Sequence, residues 1–267
     1  MNRVIFFLAT TLFLFACSTV PITGRKQFNM MPAGEMLAMS NQQYNEFLKE
    51  HKKSNNQEAT AMVKKVGKNI QQAVTKFLVE HDQAGLLEGY DWEFNLVEDS
   101  QANAWCMPGG KVVVYTGILP ITKNENGLAV VMGHEIAHAI AEHGSERMSQ
   151  ELIRQLGGMA LSAALSEKPE QTRAIWLTAY GLGSQVGVML PYSRLHESEA
   201  DHLGLIFMAM AGYDPNGAVE FWKRMQNMNN AAKPPEFLST HPSDQTRIRN
   251  LQNWLPEAMK FYHKSTK

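Results

Sequence analysis

The sequence predicts an α+β, mostly helical fold, and three observations carry that prediction. Segments with apolar residues three and four apart recur along the chain, only two short runs have β character, and no internal repeat interrupts them. The 267 residues suit one well-buried domain or at most two small ones. A hydrophobic fraction of 44% lies near the globular norm and excludes disorder or a coiled coil. With 25 Lys and Arg against 26 Asp and Glu, nothing points to a nucleic-acid groove or a polyanionic substrate. Two cysteines, Cys17 and Cys106, are too few for a disulfide framework or a thiolate zinc finger. Any bound metal must therefore be held by His and carboxylates.

In chain order, Arg3 is followed by an uncharged, mostly apolar run from Val4 to Phe15 and then by Ala16-Cys17. That run falls short of the roughly 20 residues a bilayer span needs and has the length of a signal-peptide core. Residues 1–16 are expected to be removed on export. Leu14-Phe15-Ala16-Cys17 resembles a bacterial lipoprotein signal, which makes Cys17 a lipid attachment point; an ordinary secretory signal with an incidental Cys is the alternative. Residues 17–40, with Pro21, Gly24, Pro32 and Gly34, read as a tether into a domain over 41–267.

Glu58 to His81 carries Met62, Val63, Val66, Ile70, Val74, Phe77 and Leu78 at helical spacing. Trp92, Phe94 and Leu96 alternate as in a half-buried strand, Pro108-Gly109-Gly110 marks a turn, and Lys111 to Tyr115 is a second β-rich run. Cys106, between them, reads as a small buried hydrophobe unless a His base stands beside it. Gly127 to His143 predicts a helix, apolar mostly on one side. Gln155 to Leu165 and Ala174 to Leu190 are apolar and rich in Gly and Ala; the second has the length to raise a membrane span, and its glycines, Ser184 and Gln185 favour a buried or lid-like helix instead. Arg194 to Ala211 predicts another helix, Asp214-Pro215 starts one running through Met225, and a last helix begins near Ser243.

The decisive segment is Gly133-His134-Glu135-Ile136-Ala137-His138. Helical spacing puts His134 and His138 one turn apart on one face, with Glu135 alongside, the arrangement of a hydrolytic zinc site in which the carboxylate handles the proton of the attacking water. Catalytic zinc needs a third protein ligand. The pattern H-E-x-x-H-x-x-G-x-x-H fails, because Ala141 stands where Gly belongs and Gly144 where His belongs. Glu197-Ser198-Glu199-Ala200-Asp201 offers an alternative: Glu197 can ligate while Asp201, one turn on, accepts from the second nitrogen of a ligand His. Glu199 points away from that face and is expected in solvent. Tyr192, Arg194, His241, Arg247 and Arg249 are candidate donors to a developing oxyanion.

Taken with Thr23-Gly24-Arg25, Asn103-Ala104, Pro108-Gly109-Gly110, Tyr115-Thr116-Gly117, Ser193-Arg194 and His241-Pro242 followed by Arg247, these motifs make the chain similar to a zinc metallopeptidase family of gluzincin type. That family includes the CAAX prenyl proteases, the mitochondrial inner-membrane stress protease and bacterial envelope quality-control peptidases. The resemblance covers most of residues 20–255. It implies a single zincin-like domain with a small sheet beside the zinc helix and one Zn2+ per chain on His134, His138 and Glu197. It further implies Glu135 as catalytic acid/base, with His241 and Arg247 at the active site, where His241 either stabilises the transition state or caps the metal. In such peptidases an extended substrate adds as a strand to a sheet edge. Val112, Val113 and Val114 are the expected edge, with Asn103-Ala104 in the same cleft or in a polar turn.

The resemblance implies a bacterial lipoprotein member that cleaves envelope proteins in quality control. It would be exported and lipid-anchored, on the periplasmic side of the outer membrane, with polypeptide substrates and no nucleic acid. The competing reading is an envelope assembly or binding factor with a closed structural zinc site. Glu135, which a structural site does not need, weighs against it.

Overall fold

The computed structural model describes residues 17–228, 235–242 and 245–265. The expected signal segment, the side chain of Cys17 and the expected helix start at Ser243 lie outside the described residues. The fold is α+β and mostly helical, as the sequence predicts. The chain divides into two compact units, one of Glu142–His196 with the residues up to Ala33, the other of Gly34–Ala141 with the residues from Glu197 on.

In the first unit, residues expected to form a bare tether pair instead as an antiparallel hairpin, β1 (Cys17–Thr19) with β2 (Lys26–Phe28). Arg25, in its turn, donates through both terminal nitrogens to Glu146 on the long helix that starts at His143, at 2.9 and 2.7 Å. Glu146 also meets His196 Nε2 at 2.8 Å, and the His143 ring stacks on His196 at 4.3 Å. Burial raises the Glu146 carboxyl, but the hydrogen bonds from His196 and Arg25 outweigh it and hold the group at about 2. Thr23-Gly24-Arg25 thus acts as a latch that keeps a buried carboxylate charged.

The second unit holds α1 (Ala33–Glu50), whose first residue lies at the unit boundary, and α2 (Gln57–Glu80). Asn56 Oδ1 caps α2 by accepting from Ala59 N at 3.0 Å. Val63, Val66, Ile70, Val74, Phe77 and Leu78 form its buried stripe. The sheet runs β3 (Glu93–Val97), β5 (Lys111–Tyr115), β4 (Ala104–Met107), with β3 parallel and β4 antiparallel to β5. Gly109 and Gly110, at φ +87° and +80°, make the β4–β5 turn in a region that side chains disfavour. The expected alternation in β3 fails at its end, where Leu96 and Val97 are both buried.

This topology overturns the expectation that Val112, Val113 and Val114 form a free edge. They sit in the central strand, fully buried, opposite Phe94–Leu96 on one side and Ala104–Cys106 on the other. Every residue of β5 is buried: Val112–Val114 as an apolar run implies for a strand covered on both faces, and Lys111 with its Nζ donating to Asp91 and Glu93. The outer strand is β4.

A helical turn, α3 (Leu119–Thr122), precedes α4 (Glu125–Ile140), which packs on β4 and α2. Asn124 Oδ1 caps α4 by accepting from Gly127 N at 2.9 Å. The helix stops at Ile140 rather than at His143, because Glu142 takes a left-handed conformation. It is buried on all sides from Gly127 to Ala137, not on one.

The first unit continues with α5 (His143–Ala164), which absorbs the apolar Gln155–Leu165 segment, then α6 (Glu170–Ser184) and a π turn (Gln185–Met189). Tyr180 Oη donates to Arg154 O at 2.8 Å and so joins α6 to α5. The apolar segment from Ala174 is not buried: no residue between Gln150 and Leu195 is. The next helix, α7 (Leu190–Met210), contains the boundary between the units. From Glu197 on it belongs to the second unit with α8 (Asn216–Met228), α9 (Phe237–Thr240) and α10 (Gln245–Ser265). Asp214 Oδ1 accepts from Asn216 N at 3.0 Å at the start of α8.

The latch yields a pH prediction. Because the Glu146 carboxyl moves from the usual 4.5 to about 2 on folding, its stabilisation is complete above 4.5 and disappears as pH falls toward 2. Glu146→Gln should destabilise the protein by about 3 kcal/mol at pH 7. Urea titrations should show that gap closing between pH 4.5 and pH 2.

Candidate metal centre and active site

All the site residues described below belong to the second unit. Helix α4 supplies His134, Glu135 and His138, α7 supplies Glu197 and Asp201, the turn after α9 supplies His241, and α10 supplies Arg247. Helices α4 and α7 approach closely at Gly133 and Gly204. A Cβ on Gly204 would lie 2.8 Å from His134 N, and one on Gly133 would lie 3.0 Å from Gly204 O. Two glycines therefore let the backbones touch, and the residues flanking the crossing face each other.

His134 Nε2 lies 3.1 Å from His138 Nε2, 3.1 Å from His241 Nδ1 and 3.3 Å from Glu197 Oε2. Glu197 Oε1 is 3.3 Å from His138 Nε2, and both Glu197 oxygens are 3.0 Å from His241 Nδ1. Ligand atoms of His134, His138, Glu197 and His241 all lie within 4.8 Å of one another. A tetrahedral set with bonds of about 2.0–2.1 Å has donors about 3.3–3.4 Å apart, so this all-nitrogen-and-oxygen group fits a zinc ion. The resemblance gave His241 two alternative roles; its Nδ1 lies among the donor atoms of this candidate group.

Around these four, Asp201 Oδ1 lies 2.9 Å from His134 Nδ1, the position that fixes the ring so that Nε2 faces the other donors. Arg247 Nη2 donates to Asp201 Oδ1 at 2.7 Å, and Nη1 lies 3.3 Å from Glu197 Oε2 and 3.1 Å from Pro242 O. The guanidinium carbon sits 3.2 Å above the ring of Trp222. One buried arginine thus compensates two buried carboxylates. Burial raises the Glu197 carboxyl, but hydrogen bonds from His134, His138 and His241 prevail and hold it well below the usual range.

Glu135 is buried, and its Oε1 has no hydrogen-bonding partner among the described residues; His241 Nε2 lies 3.4 Å from it. Burial pushes its carboxyl up to about 7, with Glu197 adding and His241 and Arg247 opposing. Cys106, on β4, is half-buried. Burial first, and the Glu135 charge second, raise its thiol well above the usual value, so it stays protonated and is no nucleophile.

Of the other expectations, Asn103 and Ala104 lie at the start of β4, the outer strand against α4. Asn103 Oδ1 accepts from Ala104 N at 2.9 Å, and Ala102 O accepts from Phe237 N at 2.9 Å, which ties this segment to the turn bearing His241. Glu199 is not in solvent but buried, 5% exposed. Arg249 is exposed on α10, and Tyr192 and Arg194 belong to the first unit. Sequence reasoning missed Gly133, Gly204, Trp222 and Phe237, whose ring stacks on His241 at 4.5 Å. A glycine directly before His134 and another three residues after Asp201 were the available signal.

The model for "Peptidase family M48" matches residues 64–255. The chain is 41% identical over 168 residues to mitochondrial metalloendopeptidase OMA1 of Schizosaccharomyces pombe, covering 62% of this chain and 48% of that protein. It is 32% identical over 249 residues to the Bos taurus mitochondrial metalloendopeptidase OMA1, covering 90% and 46%. It is 31% identical over 166 residues to the beta-barrel assembly-enhancing protease of Yersinia pestis, covering 61% and 34%. The chain spans about half the length, or less, of these curated relatives.

The crossing makes its own prediction. Gly204→Ala should force α4 and α7 apart, lower stability by about 1–3 kcal/mol and reduce the zinc retained per purified chain. Gly183→Ala, with nothing within 4 Å of the added Cβ, should leave both unchanged or slightly improve stability. Thermal unfolding and metal analysis of the two variants check this.

Proposed function

The chain belongs to peptidase family M48, and from that premise we propose that it is a zinc-dependent metalloendopeptidase that cleaves peptide bonds in cell-envelope proteins, in protein quality control. The observation that carries this reading is the buried, unpartnered Glu135 Oε1 beside a donor set spaced for one zinc ion. In this reading His134, His138 and Glu197 hold the metal, Asp201 orients His134, and Arg247 keeps Asp201 and Glu197 charged and in place. A zinc ion bound there supplies Lewis acidity, polarising the scissile carbonyl and making water a stronger acid.

Glu135 Oε1 takes the proton from the attacking water and returns it to the amine as the carbon–nitrogen bond breaks. An extended substrate pairs with the outer side of β4, and the start of that strand, at Asn103 and Ala104, lines the cleft. This assigns to β4 the docking role first expected of Val112–Val114. His241, stacked on Phe237 and within the ligand group, acts as a cap that must move aside before substrate enters.

The uncharged run before Cys17 supports export and lipid attachment at Cys17, on the periplasmic side of the outer membrane. A relative named for enhancing β-barrel assembly supports an envelope role. The second reading, an assembly or binding factor with a closed structural zinc, rests on the four-ligand set that His241 completes.

A casein-type assay on the purified protein separates the two. Glu135→Gln should keep one zinc per chain yet lose cleavage by a factor of about 10²–10⁴. Removing the metal with a chelator should abolish activity, and zinc should restore it. His241→Ala should raise basal cleavage; a fall to zero would instead make His241 a transition-state donor. Unchanged cleavage in Glu135→Gln would refute the mechanism.

A further inference from the structure

Among the described residues, nearly all the large exposed apolar side chains belong to one segment, the α5–α6 hairpin with the π turn and the start of α7. Ile175, Trp176, Leu182 and Val186 are 68, 56, 64 and 62% exposed, and no residue from Gln150 to Leu195 is buried. The sequence has no charged residue between Arg173 and Arg194, nor between Arg154 and Glu167. Charge returns at the tip, Glu167, Lys168 and Glu170, and at the base.

We propose that this hairpin is a membrane-contact element that lies in the interfacial layer of a lipid bilayer. Three features select lipid over a protein partner. The exposed apolar residues are not confined to one stripe: Ile175 and Leu182 share a face of α6, Trp176 lies a quarter-turn away, and Val188 and Leu190 follow through the π turn. The stretch from Ala174 to Ser193 carries no charge, so it offers a protein partner no ionic rim to pair with, whereas acyl chains need none. Trp176 and Tyr192 supply amphipathic rings of the kind enriched at membrane interfaces. Strand β1, preceded in sequence by Ala16 and the uncharged run Val4–Phe15, belongs to the same unit as the hairpin.

No helix among the described residues is long and apolar enough to cross a membrane, so the element lies in the interface and does not span it. The inference rests on the reading that the protein works at a membrane surface, and the experiment separates it from the Cys17 anchor.

The exported full chain is bound to phosphatidylethanolamine–phosphatidylglycerol vesicles whose acyl chains are plain or brominated, and tryptophan emission is read. Brominated lipid should quench and the bilayer should blue-shift a component of the emission that is missing in Trp176→Phe. The double variant Leu182→Asp, Val186→Asp should lose that quenching while its cleavage in solution is unchanged. Cys17→Ala tests the anchor separately: its vesicle binding should weaken, while the bound fraction keeps the Trp176 quenching. Equal emission on brominated and plain vesicles, with the protein bound, would overturn the proposal. So would an unquenched Trp176 in a dimer that the double variant dissolves, because a second copy would then cover the hairpin.

Discussion

The close crossing of α4 and α7 at Gly133 and Gly204 is the constraint on which the site depends. An imidazole on one helix and a carboxylate on another share an ion only if the two helices are held in a fixed register. The glycine pair holds them together, with backbone atoms at Gly204 so close to His134 N that even a methyl group would collide. From this contact follow the 2.9 Å Asp201–His134 pairing and the 3.3 Å Glu197–His134 spacing. Rigidity elsewhere serves the same end: α4 is capped at Asn124 and terminated at Glu142, so its histidines sit on a fixed length of helix.

The second requirement is electrostatic. Burying Glu135, Glu197 and Asp201 together would be costly without compensation. Arg247 meets two of them and is itself held by Trp222 and Pro242, while three imidazoles surround Glu197. Glu135 is the one left without a hydrogen bond at Oε1, and a group that must exchange protons benefits from that freedom. The first unit handles its buried carboxylate differently, closing Glu146 with Arg25 and His196, which suits a structural latch.

Much of this was legible in the sequence because it depended on spacing within single elements. His134, Glu135 and His138 lie on one helix, as do Glu197 and Asp201, and α2 has its stripe where the apolar period puts it. What was not legible depended on pairing between elements. The order β3-β5-β4 put Val112–Val114 in the centre; three valines in a row signal a strand covered on both faces, but the run does not say which strands flank it. Glu199 is buried although its place on the helix, away from Glu197 and Asp201, reads as solvent-facing. The segment from Ala174 was expected to be a buried or lid-like helix; its exposure is visible only in three dimensions and gives it a different meaning.

The central claim is that this chain holds one zinc ion by nitrogen and oxygen donors alone, from His134, His138, Glu197 and His241. Zinc-edge X-ray absorption on the purified protein tests it most directly. The account requires one zinc per chain with a single shell at about 2.0–2.1 Å, an imidazole scattering pattern and no sulfur. Absence of zinc after mild purification, or a sulfur shell near about 2.3 Å that brings Cys106 into the site, would contradict it.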